Sequence, residues 1–372
     1  MPKTSAVSRR DLLVGSLAAG VMLGSQHRSL AQERADWQAG APPEWSRILA
    51  AARREGEVNI AAFPALADKM SAAFRRDTGI QLNFIGGNTA EQSARLAAEA
   101  RAKNVTIDAA IGGAWELQLM RENLLEPILP QLILPGVAPE NFRDGKQKFF
   151  DNAGRYLLIG SDYVFGWLVI NTDQVKPEEI KTWRDLLRPK FRGKIAAVDP
   201  RFPGSGQGVS NWLFRSFGLD FIKELFIGQQ ATMSVNYRQL MDGLVRGTTP
   251  ILIGMVQSEV ERFRANFKTV GIVLPEDAPG YLASGFSVIK QPQGNPHPNA
   301  ATVFTNWYVS KPGQEVYESV MLEVSRRKDV NTGVPEYLIA QENVKYFEYD
   351  KEDVFFEKFG ALELITDALG QR

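Results

Sequence analysis

Val58-Asn59-Ile60-Ala61-Ala62-Phe63 is a short apolar run with one polar break, and Leu66, Met70, Ala73 and Phe74 follow it at helical spacing until Gly79. The first run has the length of a buried strand, and the second has the period of a helix packed by one face. Ile80 to Ile85 then reads as another strand. Gly86-Gly87 makes a loop, and Asn88 with Glu91 forms a capping box for a helix through Ala102. A third strand, Ile107 to Ile111, ends in Gly112-Gly113. Upstream, Trp45 to Glu55 places Ile48, Leu49 and Ala52 on one helical face before Gly56. Strands alternating with helices pair in parallel, and such sheets gather their ligands at the carboxyl ends of the strands.

The middle of the chain repeats this grammar. Tyr163 to Asn171 is apolar and aromatic enough for a strand, Ile195 to Val198 is another, and Val209 to Phe217 is a helix closed by Gly218. Ile251 to Val256 and Phe286 to Lys290 add strands, and helical, mixed-charge segments run on to Gln371. The fold class is therefore α/β, with parallel or mixed sheets flanked by helices. The 372 residues, 44% hydrophobic and 23% charged, suit two such bodies rather than one.

The first 31 residues have a separate purpose. Lys3, Arg9 and Arg10 precede an apolar stretch from Leu12 to Leu23, and Ser29-Leu30-Ala31 supplies the small residues favoured before a signal-peptidase cut. Ser8-Arg9-Arg10-Asp11-Leu12-Leu13 is similar to the twin-arginine signature. The expectation is a twin-arginine signal peptide cleaved near Ala31, and a periplasmic mature protein. An apolar run this short does not span a bilayer core, which takes about 20 residues. Beyond the signal, 39 basic and 42 acidic residues remain, and so mild an acidity offers nucleic acid no basic surface. The absence of cysteine removes disulfides, thiolate nucleophiles and zinc–thiolate sites.

Several segments carry a family likeness in their order. Glu55-Gly56-Glu57-Val58-Asn59-Ile60, Phe74-Arg75-Arg76-Asp77-Thr78-Gly79-Ile80 and Asn123-Leu124-Leu125-Glu126-Pro127-Ile128 come first. The run from Thr182-Trp183-Arg184-Asp185 through Pro189-Lys190-Phe191-Arg192-Gly193-Lys194-Ile195 is the most recognisable. Asp199-Pro200-Arg201, Gly204-Ser205-Gly206 and Pro296-His297-Pro298-Asn299-Ala300-Ala301 follow it. The chain thus resembles the iron(III)-type periplasmic solute-binding proteins of ABC importers, which belong to extracellular solute-binding family 1. The resemblance implies a two-lobed type II periplasmic binding fold, joined by hinge strands and closing over a ligand. It places the first part of lobe 1 at 36–159, lobe 2 at 160–283, a return to lobe 1 at 284–337, and C-terminal helices packing on lobe 2 at 338–372. The implied partners are a small-molecule ligand and the membrane permease subunits, with the binder itself a monomer.

Iron-binding members carry a His after the first strand, a Glu after the third and two Tyr late in lobe 2. Here Phe63 to Ala65, Gly113 and Gln257-Ser258 occupy those places, so no metal site and no cofactor are expected. Ferric iron through an altered set drawn from Asp162, Tyr163, Tyr237 or Tyr281 is the alternative. What the resemblance keeps is an anion site. Gly204-Ser205-Gly206 precedes a helix, whose free N–H groups and dipole favour negative charge, and Arg201 would add a bidentate guanidinium. Gly87-Asn88-Thr89 would start a facing helix, while Trp115, Tyr163, Tyr237 and Tyr281 would cover the apolar part of a phosphonate, sugar phosphate or carboxylate. Gly-Ser-Gly also serves as a plain tight turn, and Arg201 as a surface ion-pair partner. Trp183 and Trp212 are expected in the core, His297 in an exposed turn, and Glu116 beside a helix dipole. A secreted hydrolase is the competing class. It lacks a Gly-x-Ser-x-Gly elbow, and only His297 would be left to serve it.

Overall fold

The computed structural model describes residues 36–370 apart from 88, 115 and 332. The signal segment 1–31, Asn88 and Trp115 therefore lie outside the described residues, as does the side chain of Thr89.

The opening strand–helix–strand forms as its pattern requires. Strand Glu57–Ala62 pairs in parallel with Gln81–Gly86 on one side and Ala109–Gly112 on the other. Helix Ala67–Thr78 buries Met70, Ala73 and Phe74 and ends at Gly79, whose φ of 79° suits a residue without Cβ. Val288–Pro292, arriving from far along the chain, adds antiparallel to Ala109–Gly112 and continues to Leu158–Ile159 and Lys148–Phe149. This sheet is covered on both faces. Ile60 and Ala62 pack with Phe304 and Trp307, whereas Ala61 turns to the opposite cluster with Ala110 and Val288.

A second sheet has the order Thr232–Ser234, Ile195–Val198, Ile251–Ile253, Leu168–Asn171, Val270–Val273, with the first three parallel and Leu168–Asn171 antiparallel to both its neighbours. Its core holds Trp183 and Trp212, as their apolar settings imply. Tyr163 to Asn171 is not one strand but two, Tyr163–Phe165 and Leu168–Asn171. Gly166 breaks it, with φ of 108° and the Trp212 ring and Gly280 Cα so close that a Cβ would meet them at 2.9 and 3.1 Å. The chain thereby leaves one sheet and enters another.

The third sheet is small. Tyr163–Phe165 pairs antiparallel with Tyr281–Ala283, which pairs in parallel with Phe347–Glu348. Segments more than 60 residues apart thus meet beside the two larger sheets. Just before it, Ser161 N donates to Ser287 Oγ at 2.9 Å, tying together the two stretches that cross between the sheets. The last helix, Glu352–Leu369, packs on Ser205–Phe217 and Leu219–Lys223. Its first turn reaches the other way: Asn152 N donates to Glu352 Oε2 at 2.8 Å, and Phe355 meets Phe150 edge-on.

Candidate functional site

A cavity of 110 Å³ opens where these parts meet. The first sheet contributes Gly113 and Ala114, just past strand Ala109–Gly112. The crossing strands contribute Tyr163, Phe165 and Tyr281, and the turn after them Ser284, Gly285 and Phe286. Gly204, Ser205 and Gly208 bring the start of helix Ser205–Phe217, and Tyr349, Asp350 and Phe355 close the wall.

The glycine-rich turn does three different things. Gly204 has a φ of 144°, which a side chain resists. Gly206 lies against strand Ile195–Val198 so tightly that a Cβ would stand 2.2 Å from the Val198 carbonyl oxygen, and Gly208 leaves room for the Tyr281 hydroxyl. These approaches seat the helix start, with its amide groups, at the cavity wall. The helix begins at Ser205, four residues before the point its apolar period marks, because Gly and Ser carry no periodic signal.

Of the residues singled out from sequence, Gly113, Tyr163, Gly204, Ser205 and Tyr281 come together here. Tyr237 stands behind them, its hydroxyl 3.1 Å from that of Ser205. Gly206 lies beneath the wall. Phe63 stacks on Phe286 at 5.1 Å and so supports the lining from outside. Gly87 accepts a hydrogen bond from Gln92 Nε2 at 2.6 Å and is not among the lining residues. Gln257 is buried and turned away, donating to Met321 O at 2.9 Å and Glu323 Oε1 at 3.3 Å; Ser258 follows it in the same helix.

Arg201 requires a correction. Its Nε and Nη2 hold the Asp199 carboxylate at 2.9 and 2.7 Å, two residues back, and it does not line the cavity. Asp199 is only 5% exposed, so a carboxylate with that little water takes the adjacent guanidinium for itself. Arg201→Ala should therefore lower unfolding stability by about 1.5–3 kcal/mol, the range for lost hydrogen bonds to a charged group, while solute affinity stays within twofold. Calorimetry beside urea denaturation checks both halves; a tenfold affinity loss at unchanged stability would return Arg201 to the site.

One further expectation changes, and Glu116, which opens helix Leu117–Arg121 as expected, gains a partner. His297 precedes helix Pro298–Val309, but its Nδ1 lies 2.8 Å from the fully buried Asp108, whose carboxylate also accepts from the His297 amide at 2.7 Å. It is a tether, not an exposed turn. Glu116 is buried beside Lys290 at 3.0 Å and accepts from Ser93 Oγ at 2.7 Å, while Lys290 donates to Gly113 O at 2.6 Å. This pair braces the loop that forms one cavity wall.

Sequence reasoning missed Tyr349, Asp350 and Glu323. Burial raises the Asp350 carboxyl to about 6. Glu323, wholly buried behind the turn at Gly285, is pushed to about 7 by loss of water, although Tyr317 Oη, Ser161 Oγ, Gln257 Nε2 and the Phe286 amide all donate to it. Burial likewise holds the Tyr163, Tyr281 and Tyr349 phenols above their ordinary range. The one local cue was Phe347-Glu348-Tyr349-Asp350, where aromatic and acidic residues alternate as in a strand.

Residues 105–351 match the family described as bacterial extracellular solute-binding protein. Iron uptake protein A1 of Synechocystis sp. (strain ATCC 27184 / PCC 6803 / Kazusa) is 22% identical over 374 residues, covering 95% of this chain and 94% of that protein. Among solved structures, iron-bound HitA from Pseudomonas aeruginosa superposes with a TM-score of 0.62 at 18% identity, covering 84% of this chain and 99% of its own. The periplasmic binding protein AfuA from Actinobacillus pleuropneumoniae, with exogenous fructose-6-phosphate bound, gives 0.63 at 18%, covering 84% and 98%. These likenesses establish the two-lobed periplasmic binding fold. Among the described residues, no helix is long and apolar enough to cross a membrane.

Proposed function

This chain belongs to the bacterial extracellular solute-binding proteins, and on that premise we propose that it is the non-catalytic capture component of an ABC importer, holding a small organic solute with an anionic group between its lobes. The observation that carries this reading is the cavity itself, walled jointly by the end of a strand in the first sheet, a helix start on the second and the strands crossing between them. The lobes of the reading are 36–159 with 284–337, and 160–283 with 338–372. The turn Gly204-Ser205 presents amide groups to the anionic end, and the fructose-6-phosphate held by AfuA supports a phosphate-type guest. A volume well under the roughly 300–1,000 Å³ of drug-sized pockets keeps the guest small. Export through the twin-arginine signal would deliver the folded monomer to the periplasm, where permease subunits receive the closed form.

The test is a thermal-shift screen of phosphonates, sugar phosphates and carboxylates, followed by solution scattering. A true solute at 100 times its dissociation constant should add about 2.7 kcal/mol of stability and reduce the radius of gyration. No shift and no compaction with any of them, or continuing turnover in calorimetry, would defeat the reading.

Ferric iron is the second reading, favoured by one observation: three tyrosines and a carboxylate, Tyr163, Tyr281, Tyr349 and Asp350, line the same cavity. The iron-bound state of HitA and the name of the Synechocystis relative support it. Burial of the three phenols opposes their ionisation and weighs against it. Ferric ion with a synergistic anion would give a visible tyrosinate charge-transfer band, and a colourless protein would exclude it.

A further inference from the structure

We propose that Asp350 and the aromatic rings around it form a subsite for an ammonium group, so that the solute is a small zwitterion with its amine at Asp350 and its acidic group at Gly204-Ser205. This rests on the reading of the cavity as the solute site and names the chemistry of that solute.

Asp350 lines the cavity at 5% exposure, and its Oδ2 accepts no hydrogen bond from any described residue. The other buried acids nearby are all provided for. Glu323 accepts from four donors, Asp162 is held by Arg143 and Arg326, and Glu116 pairs with Lys290. Asp350 differs in facing the cavity with one oxygen unused, while Ser284 engages the carboxylate and Lys148 acts on it only through space. Leaving a carboxylate oxygen buried and unpaired is unfavourable unless a ligand donor reaches it. The surroundings select the donor. Tyr163, Tyr281, Tyr349 and Phe355 line the same space, and ring faces carry the negative part of the aromatic quadrupole, which attracts ammonium groups and repels anions. The Tyr349 hydroxyl is already engaged by Asn211 Nδ2 at 2.7 Å, which fixes that ring.

The opposite wall has the opposite sign. Helix Ser205–Phe217 starts at the cavity with the positive end of its dipole. A plain anion would use that end and meet an unneutralised carboxylate at the other; a zwitterion satisfies both.

The experiment is isothermal calorimetry on the mature protein with matched pairs: 3-aminopropylphosphonate against propylphosphonate, and 4-aminobutanoate against butanoate. In at least one pair the amine should bind ten- to a hundredfold more tightly. Asp350→Asn, which keeps the side-chain shape, should abolish that preference and tighten binding of the amine-free anion, which then meets no opposing carboxylate. Asp350→Glu, run beside it, should retain part of the preference and so separates charge from folding damage. Paired compounds that bind alike, or a preference that survives Asp350→Asn, would overturn the proposal. Binding of fructose-6-phosphate or ferric ion while every amine fails would overturn it too, leaving solute capture intact. Failure of all probes, with no compaction in scattering, would bring down both.

Discussion

Asp162→Ala is expected to lower unfolding stability by about 3–5 kcal/mol, the range found when one member of a buried ion pair is removed. Asp162 sits on the segment that crosses between the sheets, where its carboxylate accepts from Arg143 Nη2 and Arg326 Nη1. Arg326 is 3% exposed, and without Asp162 its charge would keep only the longer pair with the exposed Asp144 at 3.5 Å and the Arg143 carbonyl at 3.4 Å. The backbone doubles the connection: Asp162 N donates to Val324 O at 3.0 Å, and Arg326 N to Gly160 O at 2.9 Å. Removing Arg326 as well, in Asp162→Ala with Arg326→Met, should recover part of the loss, because no buried charge then remains uncompensated. Urea denaturation of the three proteins measures this. A single-mutant loss below about 1 kcal/mol, typical of an exposed pair, would show that the cluster carries little.

The second large effect depends on pH. Glu323 has its carboxyl raised from an ordinary 4.5 to about 7 by burial. A raised folded value means that the folded protein binds the proton more tightly than the unfolded chain. Stability from this group is then fully present below about pH 4.5, falls as pH rises through 7, and is level above it. The difference in affinity corresponds to about 3 kcal/mol between pH 4.5 and 8. Asp350, raised to about 6, adds a smaller fall of the same sign in an overlapping window. Glu323→Gln removes the titrating proton but retains an acceptor for Tyr317, Ser161 and the Phe286 amide. Its unfolding free energy should lose most of the slope between pH 5 and 8 that the parent shows. Identical slopes would mean that the four donors keep Glu323 ionised throughout.

Glu323 also shows why much of the site was invisible in the chain. Nothing in Leu322-Glu323-Val324 distinguishes it from a surface acid. Its burial comes from Ser161, Gln257, Phe286 and Tyr317, all supplied by other segments. Asp350 is similar, since its neighbours Tyr163 and Tyr281 lie on strands nearly 70 residues or more away in sequence. The Arg201 error was of the same kind: a guanidinium near a glycine-rich turn can face the cavity or the acid two residues back. Only the depth of Asp199 decides that.

By itself the sequence determined the α/β class, the strand–helix–strand opening from Glu57 to Gly86, the stop at Gly79 and the glycine-rich turn at Gly204, because each depends on residue period or on backbone freedom within a few positions. The tertiary structure alone decided which charges face the cavity and which are spent on one another. A side chain's partner is set by whatever lies within a few ångströms, and long crossings of the chain bring those partners together from distant stretches.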